Sequence, residues 1–221
     1  MATYKESVGT AVTNVAGDFP GAADGELWFN STASTFQYQY VETGGAWSTG
    51  GNLNTARGFG ASAGAATQTA ALIFGGSPGP KAITEAYNGT SWTEVNDLTT
   101  ARGYSAGAGT QTSALCFGGG RPTQLANTEI YNGTNWTETA DLNTARNYLA
   151  GCGASSTSAL AFGGEAGPGD QNATELWNGT NWTEVNNLNT AREQASSAGI
   201  QTSALMSGLS LIHISEPTRP Y

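Results

Sequence analysis

Residues 128–146 read TEIYNGTNWTETADLNTAR, and this stretch occurs three times with few changes. The other copies are TEAYNGTSWTEVNDLTTAR at residues 84–102 and TELWNGTNWTEVNNLNTAR at residues 174–192. The closing Thr-Ala-Arg also has an earlier copy, so that it ends at Arg57, Arg102, Arg146 and Arg192. Successive copies are therefore 45, 44 and 46 residues apart. A fixed period of this length indicates a repeat architecture in which each copy is one structural unit.

Each unit predicts four short β-strands. In the middle unit these are the small-residue stretch 104–109, the apolar stretch 114–117, the stretch 128–131 and the stretch 135–138. Asn132-Gly133 separates the last two and predicts a hairpin with a type I′ turn, which needs positive φ at both central residues. A four-stranded antiparallel unit of this length has the size of a β-propeller blade.

The distribution of side-chain size within a unit fits that architecture. The first strand consists almost entirely of Gly, Ala and Ser, which lets backbones approach each other closely around an axis. A Trp stands ten residues before each Arg, at Trp47, Trp92, Trp136 and Trp182. These large outer side chains supply apolar area between neighbouring blades, since one blade cannot bury both of its faces alone.

The doubled Gly after each apolar strand, followed by an aromatic residue and then by a Trp, resembles the kelch repeat. The resemblance covers Phe36 to Met206 and implies an all-β fold, a kelch-type β-propeller fragment of four-stranded antiparallel blades. We expect three complete blades plus partial blades at both ends. The expected divisions are an N-terminal segment with a β-hairpin at 1–35, a partial blade at 36–57, blades at 58–101, 102–146 and 147–191, a truncated partial blade at 192–208, and a tail at 209–221.

Both ends of the chain carry further resemblances. From Leu209 onward the sequence resembles a translated sequencing adapter, so we expect residues 209–221 to be non-native and the natural gene to continue. Near the N-terminus, 26–30 and 35–40 predict a short hairpin joined by Ser-Thr-Ala-Ser. This hairpin is similar to one found in bacteriophage tail-fibre and virion proteins.

Composition argues against several classes of partner. The net charge is −9 and the 221 residues include only eight Lys and Arg, so a nucleic-acid partner is not expected. No apolar run has the ~18 residues of a membrane span, and no signal peptide is visible. Cys116 and Cys152 stand where other copies have small or apolar residues, which predicts buried free thiols.

Catalytic chemistry is not expected in this fragment. Kelch-type propellers include copper radical oxidases similar to galactose oxidase, but such sites need His ligands, and His213 in the tail is the single His. A Ser-His-Asp or Cys-His nucleophile lacks its base for the same reason. Glu85, Glu129 and Glu175 recur in every copy, which predicts a structural ion pair with the Thr-Ala-Arg guanidinium. We expect no enzyme activity, no cofactor and no metal.

Binding is expected on the blade face that carries the loops between strands two and three. These loops differ between copies, whereas the Asn-Gly-Thr and Thr-Gln-Thr turns of the opposite face barely vary. Variable loops held by a rigid scaffold are where recognition usually takes place. The candidate contact residues are Lys81, Arg121, Gln124, Asp170 and Gln171.

The tail-fibre resemblance implies a virion-associated or extracellular protein that recognises a host-surface glycan or protein and contacts other virion proteins. One alternative is a generic bacterial kelch module for protein interaction. Another is a galactose-oxidase-like carbohydrate enzyme whose active site lies outside this fragment.

Overall fold

The computed structural model describes residues 3–5, 11–15, 27–38 and 49–208, and the regular elements in these ranges are all β-strands. Within them no helix is long and apolar enough to cross a membrane. The chain divides into two compact units, 1–49 and 50–221.

The first unit contains one four-stranded sheet. Its strands are β1 Thr3–Lys5, β2 Ala11–Val15, β3 Leu27–Asn30 and β4 Thr35–Tyr38, in that order across the sheet. β2 and β3 are parallel, whereas β3 and β4 form the antiparallel hairpin that the sequence predicts. Asn30 Oδ1 accepts the backbone N–H groups of Thr32 and Ala33, both at 3.0 Å, and so shapes the turn.

The second unit contains three complete four-stranded sheets and one two-stranded sheet. The first blade has β5 Ala61–Ser62, β6 Ala71–Phe74, β7 Thr84–Tyr87 and β8 Trp92–Val95. The second has β9 Ala106–Thr110, β10 Ser113–Phe117, β11 Thr128–Tyr131 and β12 Trp136–Thr139. The third begins with β13 Ala150–Ser155 and β14 Ser158–Phe162. After β14 come two short strands that are not part of the blade, β15 Glu165–Ala166 and β16 Gly169–Asp170, and the blade then continues with β17 Thr174–Trp177 and β18 Trp182–Val185. The last sheet has β19 Ser196–Ile200 and β20 Ser203–Ser207.

These sheets confirm the predicted fold class, since each complete one is antiparallel with its strands in chain order. β15 and β16 form a small separate hairpin inside the loop between β14 and β17. The first strand of the middle blade begins at Ala106 rather than at Tyr104, because Tyr104 has a left-handed backbone that a strand does not accept. Of the partial blade predicted at 36–57, the segment 39–48 with Trp47 lies outside the described residues, as does the tail at 209–221.

The predicted type I′ turn at Asn132-Gly133 is wrong, although the hairpin itself is present. Positive φ occurs at Gly133, at 93°, and not at Asn132. Asn132 Oδ1 instead accepts the N–H groups of Thr134 and Asn135, both at 2.9 Å. The Asn side chain therefore replaces a backbone acceptor, which removes the need for positive φ at its own position.

The first strands of neighbouring blades lie side by side. β9 contacts β5 on one side and β13 on the other, and β13 contacts β19. A Cβ added at Gly107 would lie 2.3 Å from the carbonyl oxygen of Ser62 in the preceding blade. Small residues in these strands thus allow the close approach that the sequence predicts, and the blades extend outward from this inner row.

Larger side chains join the blades farther out. Trp136 packs edge-on against Phe74 of the preceding blade with ring centroids 4.8 Å apart, and its Nε1 donates to Thr84 Oγ1 at 3.0 Å. Trp182 repeats both contacts one blade later, with Phe117 at 4.9 Å and Thr128 Oγ1 at 3.0 Å. Each interface therefore combines apolar burial with a satisfied indole N–H.

The crossover is the segment that leads from one blade into the next, and in front of each complete blade a buried ion pair fixes it to the third strand of that blade. The pairs are Arg57–Glu85, Arg102–Glu129 and Arg146–Glu175, with side chains at most 2 % exposed. They confirm the predicted structural role of the repeated Glu. The Glu129 carboxylate also accepts the N–H groups of Thr99 at 2.7 Å and Thr100 at 3.1 Å, so the crossover backbone is bound directly.

The first of these pairs makes the fold sensitive to acid. Burial raises the pKa of the Glu85 carboxyl, but Arg57 and the N–H groups of Asn54 and Thr55 outweigh it and hold the pKa below its ordinary value of 4.5. The unfolded carboxyl therefore binds a proton more tightly than the folded one. This stabilisation is complete above the unfolded pKa and is lost as the pH falls through the lower folded pKa.

The cysteines are confirmed as buried free thiols. Cys116 is fully buried, and burial raises the pKa of its thiol to about 11. Burial likewise raises the pKa of Cys152. Both thiols are therefore protonated at neutral pH and lack the thiolate form that makes a cysteine reactive.

Glu129→Gln should lower the free energy of unfolding by about 3 kcal/mol, since it leaves the buried Arg102 without its counter-charge. Urea unfolding at neutral pH measures the change. Glu138→Gln is the matched control, because Glu138 lies directly opposite on β12 but is exposed, and a change within about 0.5 kcal/mol is expected. Equal effects of the two substitutions would contradict the assigned role of Glu129.

Gly107→Ala should destabilise the second unit by about 1–3 kcal/mol, because the new methyl group must displace the backbone of the adjacent blade. Thermal unfolding measures the loss. Gly64→Ala is the control, since a Cβ there meets no atom within 4 Å. A Gly107→Ala variant as stable as Gly64→Ala would mean that the inner strands are not closely packed.

Candidate ligand-binding site

One repeated position has a left-handed backbone in every copy although it is not Gly. It lies two residues after each Thr-Ala-Arg arginine, and φ is between 52° and 59° at Phe59, Tyr104, Tyr148 and Gln194. The residues form a hydrogen-bonded row, because the N–H of each one donates to the carbonyl of its counterpart in the preceding blade, at 2.9 Å in all three steps. We call Phe59, Tyr104 and Tyr148 the aromatic row.

Positive φ in a large side chain is a rare and strained conformation, costing on the order of 1–3 kcal/mol. Here the backbone bonds on both sides of Tyr104 offset that cost. Such strain is concentrated at binding sites and active sites, where it aims a side chain in a direction that a relaxed backbone does not allow.

The side chains of the row pack against one another at the surface with their rings tilted. Ring centroids of Phe59 and Tyr104 are 4.6 Å apart, and those of Tyr104 and Tyr148 are also 4.6 Å apart. Phe59 is 61 % exposed, and both tyrosines are half-buried. Together they form an accessible aromatic strip that crosses three blades.

Arg121, one of the predicted contact residues, lies over this strip. Its guanidinium carbon is 5.9 Å from the Tyr104 ring centroid and 5.7 Å from that of Tyr148, which is within cation–π range. Its Nη1 also donates to the Tyr148 hydroxyl. Arg121 is exposed, so some of its donors remain accessible to a ligand.

Two shallow clefts flank these residues. One, of about 300 Å³, lies between the two-to-three loops of the first and second blades and is lined by Ser77, Pro80, Tyr104 and Arg121 among others. The other, of about 290 Å³, runs along the aromatic row to Gln194. Tyr104 borders both clefts, so a ligand in either one meets the aromatic row.

The crossovers and the two-to-three loops share this face, as the strand order predicts. Gly58 and Ser77 exchange backbone hydrogen bonds at 3.0 and 2.9 Å, and Asn147 and Glu165 do so at 3.1 and 2.8 Å in the third blade. The aromatic row is therefore on the predicted binding face.

The other four predicted contact residues are dispersed. Gln124 is bonded to the loop of the third blade, donating to Gly167 O at 3.3 Å and accepting from Gly167 N at 2.8 Å. Gln171 donates to Gly169 O within its own loop at 2.9 Å. Lys81 is half-buried in the first loop, and Asp170 pairs with Glu165 across β15 and β16. Only Arg121 of the five contacts the aromatic row.

The sequence pattern does not reveal the aromatic row, because it predicts a strand that begins at Tyr104. A signal was present, since three of the four residues found two places after the arginine are aromatic. Their left-handed backbone depends on contacts between blades, which no local pattern reveals.

The third blade carries an acidic cluster beside this face. Burial raises the pKa of the Glu193 carboxyl above its ordinary value of 4.5, and the negative charges of Asp170 and Glu165 raise it further. In the described part of the chain, however, no three His, Cys, Asp or Glu side chains are grouped so that they could hold a metal ion.

A scan against protein-family models finds no match to the chain, and a search of curated proteins finds no similar sequence. The class of protein therefore follows from the fold. It is an all-β repeat protein with propeller-like, four-stranded antiparallel blades.

Arg121→Gln should raise the pKa of the Tyr148 hydroxyl further. Burial already raises that pKa above its ordinary value of 10, while the charge of Arg121 and its hydrogen bond oppose the rise. NMR titration of ring-labelled tyrosine measures the shift, and Tyr148→Phe identifies the signal. Lys81→Gln, which removes a different cation from the same face, should leave the pKa unchanged. An unchanged or lower pKa in Arg121→Gln would contradict this contact.

Proposed function

We propose that this chain is a non-catalytic, kelch-like propeller module whose loop face binds a host-surface glycan. The observation that carries the proposal is the exposed aromatic strip of Phe59, Tyr104 and Tyr148 with Arg121 above it. Aromatic surface with a few convergent polar groups is the usual make-up of a small-ligand site.

A sugar suits these groups chemically. Each pyranose presents an apolar face of C–H groups and a rim of hydroxyls. The exposed ring of Phe59 and the half-buried rings of Tyr104 and Tyr148 suit the former, and the tyrosine hydroxyls suit the latter. The guanidinium of Arg121 can donate several hydrogen bonds to hydroxyl or carboxylate oxygens. The shallow clefts leave room for a chain of sugars to continue along the strip.

A virion-associated, tail-fibre-like setting accounts for the first unit. The β3–β4 hairpin is the segment whose sequence is similar to hairpins of phage fibres and virion proteins. In this proposal the first unit contacts other virion proteins, and the blades present the aromatic strip to the host surface outside the bacterial cell.

A module for protein interaction is the second candidate. The bonds between Gln124 and Gly167 join the loops of two blades into one continuous rim, which a folded partner could cover. Such a partner would contact the rim over a wide area rather than the aromatic strip alone.

Binding of the full chain to a glycan array and to host cells tests the proposal. Arg121→Gln and Tyr104→Ala should each weaken glycan binding about tenfold or more, because each removes a direct contact. Thr134→Ala, in an exposed turn of the opposite face, should leave binding unchanged. If no glycan on the array binds, or if neither substitution weakens glycan binding, the proposal of a glycan ligand is refuted. Binding of a host protein to the rim of loops would favour the second candidate.

A further inference from the structure

The last sheet of the second unit contains two strands where the other blades have four. We call β19 and β20 the terminal half-blade; β20 pairs with β19 and with no other described strand. In the complete blades the second strand pairs on its other edge with the third, as β10 does with β11. Among the described residues, the backbone donors and acceptors along the outer edge of β20 therefore have no strand to pair with.

Arg192 lacks the carboxylate that its counterparts bind. Arg57, Arg102 and Arg146 each pair with a Glu on the third strand of the blade that they enter. Arg192 donates to Gly208 O at 3.3 Å, as Arg146 does to Gly163 O at 3.0 Å, but no acidic side chain pairs with it among the described residues. Its guanidinium is positioned for an acceptor that a third strand would carry.

Thr174 on the third blade lacks the donor that its counterparts bind. Thr84 Oγ1 and Thr128 Oγ1 each accept the indole N–H of a Trp on the fourth strand of the next blade, at 3.0 Å. Thr174 is 8 % exposed, and in the part of the chain that the structure describes its Oγ1 has no hydrogen-bond partner. A buried hydroxyl without a partner is costly, which makes this atom a specific acceptor for an incoming N–H group.

Apolar surface is exposed at the same place. Leu205 on β20 is 68 % exposed, whereas its counterparts Leu72 and Leu115 are 1 % and 0 % exposed. Ile200 on β19 is 47 % exposed as well. Leu72 and Leu115 lie in core clusters with residues of the blade that follows theirs, so Leu205 marks a contact between blades that no described residue fills.

From these features we infer that the terminal half-blade is an acceptor site for a β-hairpin of defined chemistry. The hairpin carries a Glu on its first strand, which pairs with Arg192, and a Trp seven residues later on its second strand, which donates to Thr174. The same separation of seven residues holds for Glu85 and Trp92, Glu129 and Trp136, and Glu175 and Trp182.

The occupant is the third-and-fourth-strand hairpin of a further repeat of this kind, with the pattern Thr-Glu-X-aromatic-Asn-Gly-Thr-X-Trp. A second folded copy of this chain is a poor donor, because its own Glu129 and Trp136 are buried in their blade and bonded there. The hairpin adds to the β20 edge by backbone pairing, and its Glu and Trp determine the register.

A labelled peptide copy of residues 174–185, TELWNGTNWTEV, added to the full chain tests the site by fluorescence anisotropy. Saturable binding is expected. Replacing the peptide's residue Glu175 by Gln, or its residue Trp182 by Phe, should weaken binding about tenfold, as should Arg192→Gln or Thr174→Val in the protein. Arg192→Gln combined with the Gln peptide should cost little more than either change alone, since both remove one interaction.

An isolated hairpin is marginally stable in water, so a covalent version provides the second measurement. In this variant a copy of residues 164–192 follows Gly208 in place of the tail. Its midpoint of thermal unfolding should rise, and the amides of Ser203–Ser207 should become protected from hydrogen exchange. Gln in place of the appended copy of Glu175 should remove most of that gain.

Two results would overturn the inference. One is the absence of both peptide binding and any gain in the covalent variant. The other is concentration-dependent self-association that Arg192→Gln abolishes, because it would identify a second copy of the chain as the occupant.

Discussion

The buried Arg–Glu pair is the interaction on which the rest of the second unit depends. Arg57, Arg102 and Arg146 each enter a site that contains backbone carbonyls and one carboxylate, and the pairs are almost completely removed from water. A buried guanidinium without that carboxylate would be uncompensated, so the crossover has one favourable position relative to the third strand. Because the aromatic row lies two residues after each arginine, the pair also determines where the row's side chains emerge.

Contacts between blades repeat with the same period as the sequence. The inner row uses small residues, the outer row uses Phe–Trp packing and a Trp–Thr hydrogen bond, and each set links one blade to the next. In such an array the stability is mainly a sum over units and nearest-neighbour interfaces. At the end of the described array, Thr174 on the third blade and Arg192 in the segment after it therefore lack the partners that their counterparts bind.

The aromatic row shows how a structural repeat can also provide a binding surface. Its backbone bonds join the blades, while its left-handed φ turns Phe59, Tyr104 and Tyr148 toward solvent. The backbone bonds between blades hold the strained conformation, so a ligand need not order these rings on binding. Pre-organisation of this kind favours affinity because less conformational entropy is lost.

The sequence by itself determined the period, the four-strand units, the bare inner strands and the Glu–Arg pairing, because these follow from local pattern and from the identity of residues in every copy. It also indicated the face on which Arg121 lies. Only the tertiary structure decided that Tyr104 leaves the strand, that Asn132 caps its turn through Oδ1, and that Gln124 is bonded to the neighbouring loop. Each of these features depends on the position in space of an atom in another blade or in the backbone of the turn itself. The order of residues along the chain does not specify the distance to that atom.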